Sequence, residues 1–456
     1  MAETIFEPQA SVDPIARIAA LADAGVRLVR VGYPDLHGIA RGKDIPIGDF
    51  ADIVAHGIPF CEAVMTVDLR HNVVAGFEHG FQDIVARPDL STLVQVPWDP
   101  SLAWVMADLE RIVTCEAYPV DPRGALRRAV SECAGLGYAP VVAPELEFYL
   151  FERSPEAPLG FRRYVDNDSA VYTAGDVSDP RGVVRDMLTA SVDLGLGAFA
   201  ANHEFGRAQY EINLKHAGAL ESADRAFRFK WLVKEFAARE GLVATFMGKP
   251  WNDDEGSGFH LHLSLAGEDG SNALADEGGA DGLSEVARHF LAGVLEHGGA
   301  LMALFNPTVN AYRRIIPEAL VPTRVNWGHD NRFCYVRVPK ERGGATRLEI
   351  RIGDGTANPY LAYAAALHAG VDGVRRGLEP PEPLQGNIYE LPEAEQGQEL
   401  PISLPRALDL LEADTVLVQA LGEELAGTFL TIKRHECDRY RRWVSDWEFA
   451  EYSHHL

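Results

Sequence analysis

Cysteine is scarce in this chain, and Cys61, Cys115, Cys133, Cys334 and Cys437 stand far apart. An odd number without paired spacing speaks against a thiolate zinc site and a disulfide framework, and the thiols read as reduced. Long hydrophobic runs are missing as well. With no stretch able to span a bilayer and no signal segment, the expected location is cytoplasmic. Basic charge is in deficit: 42 Lys and Arg stand against 67 Asp and Glu, a net charge of -25. That balance argues against non-specific binding to nucleic acid or to an anionic membrane. The glycine signatures of phosphate-loop, Rossmann and kinase nucleotide sites are all absent, so any ATP site here has another architecture. There is no internal repeat and no low-complexity tail.

What remains is an ordinary globular composition, 47% hydrophobic and 24% charged, over 456 residues. That length exceeds what one core usually supports, so two domains are expected. A helix at 15–24, strands at 26–33, 39–46, 92–96 and 103–108, and a short helix at 49–56 make a small first domain. The boundary is placed near Leu109–Tyr118, giving domains 1–112 and 113–456. Past it, Asp121-Pro122-Arg123 opens a helix, with Asp as N-cap and Pro at the first helical position. Strands are expected at 141–151, within 202–214, at 242–247 and at 259–265. Helices are expected at 182–194, 220–239, 283–305, 359–376 and over most of 404–443.

The strand at 141–151 is apolar apart from Glu145 and Glu147, and alternate residues of a strand share a face. Like charges side by side on a half-buried sheet repel, and a divalent cation between them reverses the sign of that interaction. The plain alternative is a wet sheet face. The same spacing recurs in His260 and His262, and in Glu349 and Arg351, while a bend at Gly206-Arg207 returns Glu204 and Glu211 to one side. Five carboxylates and one or two imidazoles form a hard donor set, suited to Mg2+ or Mn2+ rather than structural zinc. Eight arginines lie between 313 and 351 in this acidic chain. Guanidinium forks beside carboxylate-bound metals are working parts of phosphoryl transfer, although some of these arginines belong to solvated or ion-paired faces.

Several motifs occur in order: Asp-Leu-His-Gly from Asp35, Pro-Glu-Leu-Glu-Phe from Pro144 and His-Glu-Phe-Gly-Arg-Ala-Gln-Tyr-Glu-Ile from His203. They continue with Gly-Ser-Gly-Phe-His-Leu-His-Leu-Ser from Gly256, Asn-Pro-Thr-Val-Asn-Ala-Tyr-Arg-Arg from Asn306 and Arg-Leu-Glu-Ile-Arg from Arg347. Together they resemble the type I glutamine synthetase family, from about Asp35 to Gly370 and again around Asn387–Pro392. The resemblance implies an α+β fold: a small N-terminal β-grasp domain, then a catalytic domain whose curved antiparallel sheet is flanked by helices. It implies a homo-oligomer, a dodecamer of two hexameric rings with active sites between neighbours. By the same resemblance Glu147, Glu204 and Glu211 hold one metal, and Glu145, His260 and Glu349 hold a second beside the ATP phosphates. Arg332 and Arg337 match the phosphate-binding arginines, and His262 with Ser264 the nucleotide side of their strand. Arg314 and Arg351 match the glutamate-carboxylate clamps, with Gly256 lining that pocket. Asp35 matches an aspartate that reaches a neighbour's site and helps hold and deprotonate the amine, and Tyr389 lies in a loop that carries a regulatory tyrosine in some relatives.

The chain departs from the glutamine-forming pattern at three places. Leu320 stands where the family has a flap glutamate that closes the ammonium pocket and removes a proton, and Glu318 is two residues out of register. Glu255 replaces an asparagine before Gly256, and Gly343-Gly344 replaces a segment with a lysine. The expected function is therefore an ATP-dependent γ-glutamyl ligase. It would couple glutamate to a primary amine such as a polyamine, ethanolamine or a small alkyl or aryl amine. Ordinary glutamine synthetase is the alternative, and a non-catalytic binding protein the third reading, disfavoured because every metal-ligand position is filled.

Overall fold

The computed structural model describes residues 13–456 apart from 158, 167–170, 280, 318–319 and 455. The chain opens on the helix Pro14–Asp23, capped by the Asp13 side chain, which accepts from the Ile15 amide. Five strands follow: β1 Leu28–Pro34, β2 Ala40–Pro46, β3 Ile58–Cys61, β4 Asp83–Gln95 and β5 Leu102–Arg111. They form one sheet in the order β2-β1-β5-β4-β3. The central pair β1 and β5 is parallel and the other pairs are antiparallel, as a β-grasp arrangement requires. β5 takes the centre because Leu102–Ala107 is apolar and buried throughout. β4 is far longer than expected from sequence. Pro88 and Asp89 interrupt its apolar alternation, and the register with β5 shifts between Asp89 and Val94.

Asp121 caps the helix Pro122–Gly135 as expected, accepting from the Arg123 amide at 2.9 Å and, through its other oxygen, from the Leu109 amide at 3.1 Å. Arg123 is 1% exposed and pairs with Asp89, Asp108 and Asp224, each at 2.8 Å or less. Trp104 of β5 stacks on Trp231 with ring centroids 4.5 Å apart. These contacts fasten the first sheet to the helices behind the second.

The second sheet is built from β6 Ala139–Arg153, β7 Phe161–Arg163, β8 Ala198–His203, β9 Gln209–Leu214, β10 Ala217–Gly218, β11 Leu242–Thr245 and β12 Gly258–Ala266. The short pair β13 Arg324–Val325 and β17 Gln398–Glu399 lies apart from it, and β14 Trp327–His329, β15 Val336–Val338 and β16 Leu348–Asp354 complete it. Its main path runs β14-β15-β16-β12-β6-β9-β8, with β7, β10 and β11 also on β6. All its pairs are antiparallel except β14 with β15. That exception departs from the purely antiparallel sheet expected, and it turns on a compact loop around Asn331. The Asn331 amide donates to the Leu384 and Gly386 carbonyls, and its oxygen accepts from the Phe333 amide.

The helix Pro359–Arg376 is buried at every residue from Pro359 to Val371. Its Gly373 meets Gly293 of the helix Glu285–Glu296 so closely that a Cβ on either would lie within 3 Å of the other's backbone. The single helix expected at 283–305 is two, Glu285–Glu296 and Gly298–Phe305, broken at His297 where Gly298-Gly299 follows. The span 404–443 likewise divides into Leu404–Ala413, Thr415–Leu421 and Glu423–Arg441, with Asp414 capping the second and Gly422 preceding the third. No helix among the described residues is long and apolar enough to cross a membrane.

Candidate active site

Strand register assembles the site. Across the sheet Arg337 of β15 sits opposite Glu349 of β16, and Glu349 opposite His262 of β12. His260 sits opposite Glu145 of β6, and Glu147 opposite Glu211 of β9, which in turn faces Asn202 of β8. Because β6 alternates buried and half-buried residues, Glu145 and Glu147 share the half-buried face.

Glu145 lies between the two imidazoles, 3.2 Å from His260 Nδ1 and 3.0 Å from His262 Nε2. The Arg347 Nε–H donates to His262 Nδ1 at 3.2 Å, which leaves Nε2–H of that ring to donate to Glu145. Burial and the Arg351 charge push His260 down towards the neutral form that ligates metals. One donor atom each from Glu145, His260 and Glu349 lies within 4.8 Å of the others, and the three together can hold a metal ion. Glu349 is 1% exposed and pairs with Arg337 at 2.5 Å and with Arg351. Burial alone would raise its carboxyl, but Arg351, the two histidines and Arg337 outweigh it and hold the group at about 2.

Glu147, Glu204 and Glu211 behave oppositely. Burial, then the charge of Glu204, pushes Glu147 up to about 7. Burial followed by the charges of Glu145, Glu147 and Glu204 drives Glu211 well above the carboxylate range, and burial raises Glu204 too. No arginine or lysine pairs with any of the three among the described residues. Acceptors only when ionised, crowded and short of cations, they have the chemistry of a site for a hard divalent ion.

Gly256 is fixed by space, since a Cβ there would lie 2.7 Å from the Arg314 side chain and 2.9 Å from the Gly248 carbonyl. Arg314 is 3% exposed. It donates to the Ile352 carbonyl at 3.1 Å while its Nε is buried without a partner. Arg351 Nε reaches the Arg332 carbonyl, whereas the Arg332 side chain is exposed. Arg337 also binds Asp330 at 2.5 Å. Ser264 donates to Asn272 at 3.0 Å, and Asn272 holds the carbonyls of Gly343, Gly344 and Thr346.

Asp35 joins none of these. It is 1% exposed, one oxygen accepting from the His37 and Ile39 amides and the other pairing with Arg41 at 2.7 Å. In a single chain the carboxylate is a turn cap rather than a group presented to solvent. Leu320 is 41% exposed, at a φ of 54° that a leucine rarely adopts, and Glu318 lies outside the described residues. The Glu255 side chain is exposed, and its carbonyl accepts from the Tyr149 hydroxyl at 2.7 Å. Tyr389 packs edge-on against Phe333 with its hydroxyl 3.4 Å from that of Thr323.

Sequence reading missed Gln209. Its amide donates to Glu147 at 2.8 Å and to the Gly256 carbonyl at 3.0 Å, and its oxygen accepts from the Gly206 amide at 2.8 Å. It also passed over Asn202 and Asn213, which donate at 2.6 Å to Glu204 and Glu211. Both stand two residues from the acid they hold, the same same-face spacing that singled out the acids.

Residues 119–452 match the family profile described as glutamine synthetase, catalytic domain. The glutamine synthetase of Thermus thermophilus is 37% identical over 447 residues, 95% of this chain and 97% of its own. That of Methanocaldococcus jannaschii is 35% identical over 94% and 95%. Among solved structures, GmaS in complex with ADP superposes with a TM-score of 0.85 at 33% identity, covering 95% of this chain and 98% of its own. A crystal structure titled a novel glutamine synthase homolog gives 0.80 at 28% identity, over 93% and 97%. With its sheet gathering acids and imidazoles from four strands and its likeness to these proteins running nearly from end to end, the chain belongs to the glutamine synthetase family.

Proposed function

We propose that this ligase couples the γ-carboxylate of glutamate to an organic primary amine, a polyamine, ethanolamine or another small amine, at the expense of ATP. A carboxylate is a poor electrophile. Its oxygen therefore first takes the γ-phosphoryl group of ATP, releasing ADP. The amine nitrogen then attacks the acyl phosphate, phosphate departs with the carboxyl oxygen, and one proton is lost from nitrogen.

In this reading Glu145, His260 and Glu349 hold one divalent ion and Glu147, Glu204 and Glu211 another. When bound, Mg2+ or Mn2+ supplies positive charge against the phosphate oxygens. Arg337 and the exposed Arg332 meet the phosphates from the other side, with His262 and Ser264 towards the nucleotide. Arg314, whose Nε has no partner, and Arg351 hold the carboxylates of glutamate, and Gly256 leaves room for the substrate. Residues 1–112 and 113–456 act as two domains within a dodecamer of two hexameric rings, and the Asp35 turn serves a neighbouring subunit's site.

The observation that carries the amine reading is Leu320: a solvent-exposed leucine in the flap position. Ammonium is small and needs anionic walls, whereas an alkyl surface suits a carbon skeleton, at about 0.8 kcal/mol for each buried methylene. One finding favours ammonia instead, namely that the relatives from Thermus and Methanocaldococcus are named glutamine synthetases. ATP-dependent phosphate release, assayed with glutamate and a panel of polyamines, ethanolamine, alkyl and aryl amines and ammonia, separates the readings. Release with at least one amine and little with ammonia supports the proposal. Release with ammonia alone supports glutamine synthesis, and none with any nitrogen donor removes catalysis from the account.

A further inference from the structure

Behind the turn that follows Asp35 lies a cavity of about 210 Å³, lined by none of the metal-type acids and by neither His260 nor His262. The turn residues His37, Gly38 and Ile39 form one wall, and the helices Ala219–Arg239 and Glu423–Arg441 contribute Lys230, Lys234 and Lys433. No Asp or Glu lines it, in a chain whose acids outnumber its bases by 25. The hydroxyl residues Thr245, Thr308 and Thr356 complete its polar lining.

The ammonium groups of Lys230 and Lys234 are under-neutralised. Lys230 is 7% exposed, and among the described residues its Nζ donates to the Ala357 carbonyl at 3.0 Å and lies 5.4 Å from the Phe246 ring centroid. Burial and then the charge of Lys234 push it down to about 7. Lys234 makes no hydrogen bond or ion pair among the described residues, and desolvation lowers it as well. Lys433 is 2% exposed and shares its Nζ between Glu436 at 3.2 Å and His37 Nδ1 at 3.3 Å. Asp35 and Asp354 act on Lys234 and Lys230 only through space, since Asp35 pairs with Arg41 and Asp354 accepts from Thr356. Two buried lysines brought together without a directly paired counter-ion cost free energy that a bound anion returns.

We infer that this cavity binds a small tetrahedral oxyanion of the phosphate class. Compact ammonium groups and hydroxyls suit a tetrahedral anion, whereas planar carboxylates are better met by guanidinium forks, and no arginine lines the cavity. The volume holds roughly seven waters' worth of contents, enough for one oxyanion with residual water. An anion here also touches the turn that Asp35 caps, so occupancy stiffens that turn. The inference does not depend on which amine the ligase uses.

The test uses the full-length assembled protein without nucleotide or divalent metal. Crystals soaked in selenate are read for anomalous density, and Kd for inorganic phosphate is measured calorimetrically for the parent, Lys234→Met, Lys433→Met and the exposed control Lys215→Met. The expected result is a selenium peak among Lys230, Lys234 and Lys433. Loss of one charged hydrogen bond should weaken phosphate by about tenfold in each cavity variant and leave Lys215→Met unchanged. A cavity without density, or an unchanged Kd in a folded Lys234→Met protein, overturns the inference. Binding of succinate without phosphate overturns the ligand class.

Discussion

Glu147 and Glu211 face each other across β6 and β9, and among the described residues neither pairs with a cationic side chain, Arg314 offsetting Glu147 only through space. If Glu147, Glu204 and Glu211 share an ion, as proposed, that ion makes the cluster tolerable, and removing one anion weakens metal binding without emptying the core. Glu211→Gln is expected to lower kcat by about a hundredfold or more and to raise the magnesium needed for half-maximal rate. The check is kcat against magnesium concentration, with circular dichroism confirming the fold. Near-normal turnover at limiting magnesium contradicts the assignment. At this scale the acids and histidines were legible because they interrupt apolar strands at period two. Gln209 was not, since a neutral amide on a strand carries no such contrast. The burial of Asp35 was not legible either: the same short side chain serves a turn cap and a substrate contact, and only the positions of Arg41 and the two amides decide.

Strands gave themselves away by alternation and helices by spacing, but breaks within helices depended on contacts distant in sequence. The His297 ring is clamped by Asp414 at 2.6 Å and Asp372 at 3.1 Å, so the break there joins three helices. Burial lowers this imidazole, yet Asp414 and then Asp372 outweigh it and its folded pKa lies above 6.5. The protonated ring therefore contributes stability that is full below the unfolded value and is lost as pH rises through the folded one. His297→Gln should cost about 2 kcal/mol at about pH 5.5, the value of a charged hydrogen bond, and clearly less at about pH 9. Denaturant melts of both proteins across that range read it directly. A cost that grows with pH contradicts the clamp. The parallel pairing of β14 and β15 was equally hidden, because it depends on Asn331 holding two carbonyls more than fifty positions away.

As a whole the molecule sets a basic cavity and an acidic metal-type sheet within one acidic chain, and the Arg123 cluster fixes the first sheet to the helices behind the second. If the Asp35 turn serves a neighbour's site, inactive Asp35→Asn and inactive Glu349→Gln subunits should regain activity when reassembled together. Asparagine keeps the oxygen that accepts from His37 and Ile39, so the turn survives the substitution. Mixed assemblies verified by mass that show no recovery mean each site is built from one chain. On the proposed amine reading, substrate choice answers to one side chain. On that reading Leu320 would take a negative charge out of the flap and offer apolar surface, so glutamate would be coupled to carbon-bearing amines in preference to ammonia. The most direct measurement is the ratio of kcat/KM for ammonia to that for the best amine, in the parent protein and in Leu320→Glu. The account predicts a ratio well below one in the parent and a rise in the variant; a parent enzyme that already prefers ammonia contradicts it.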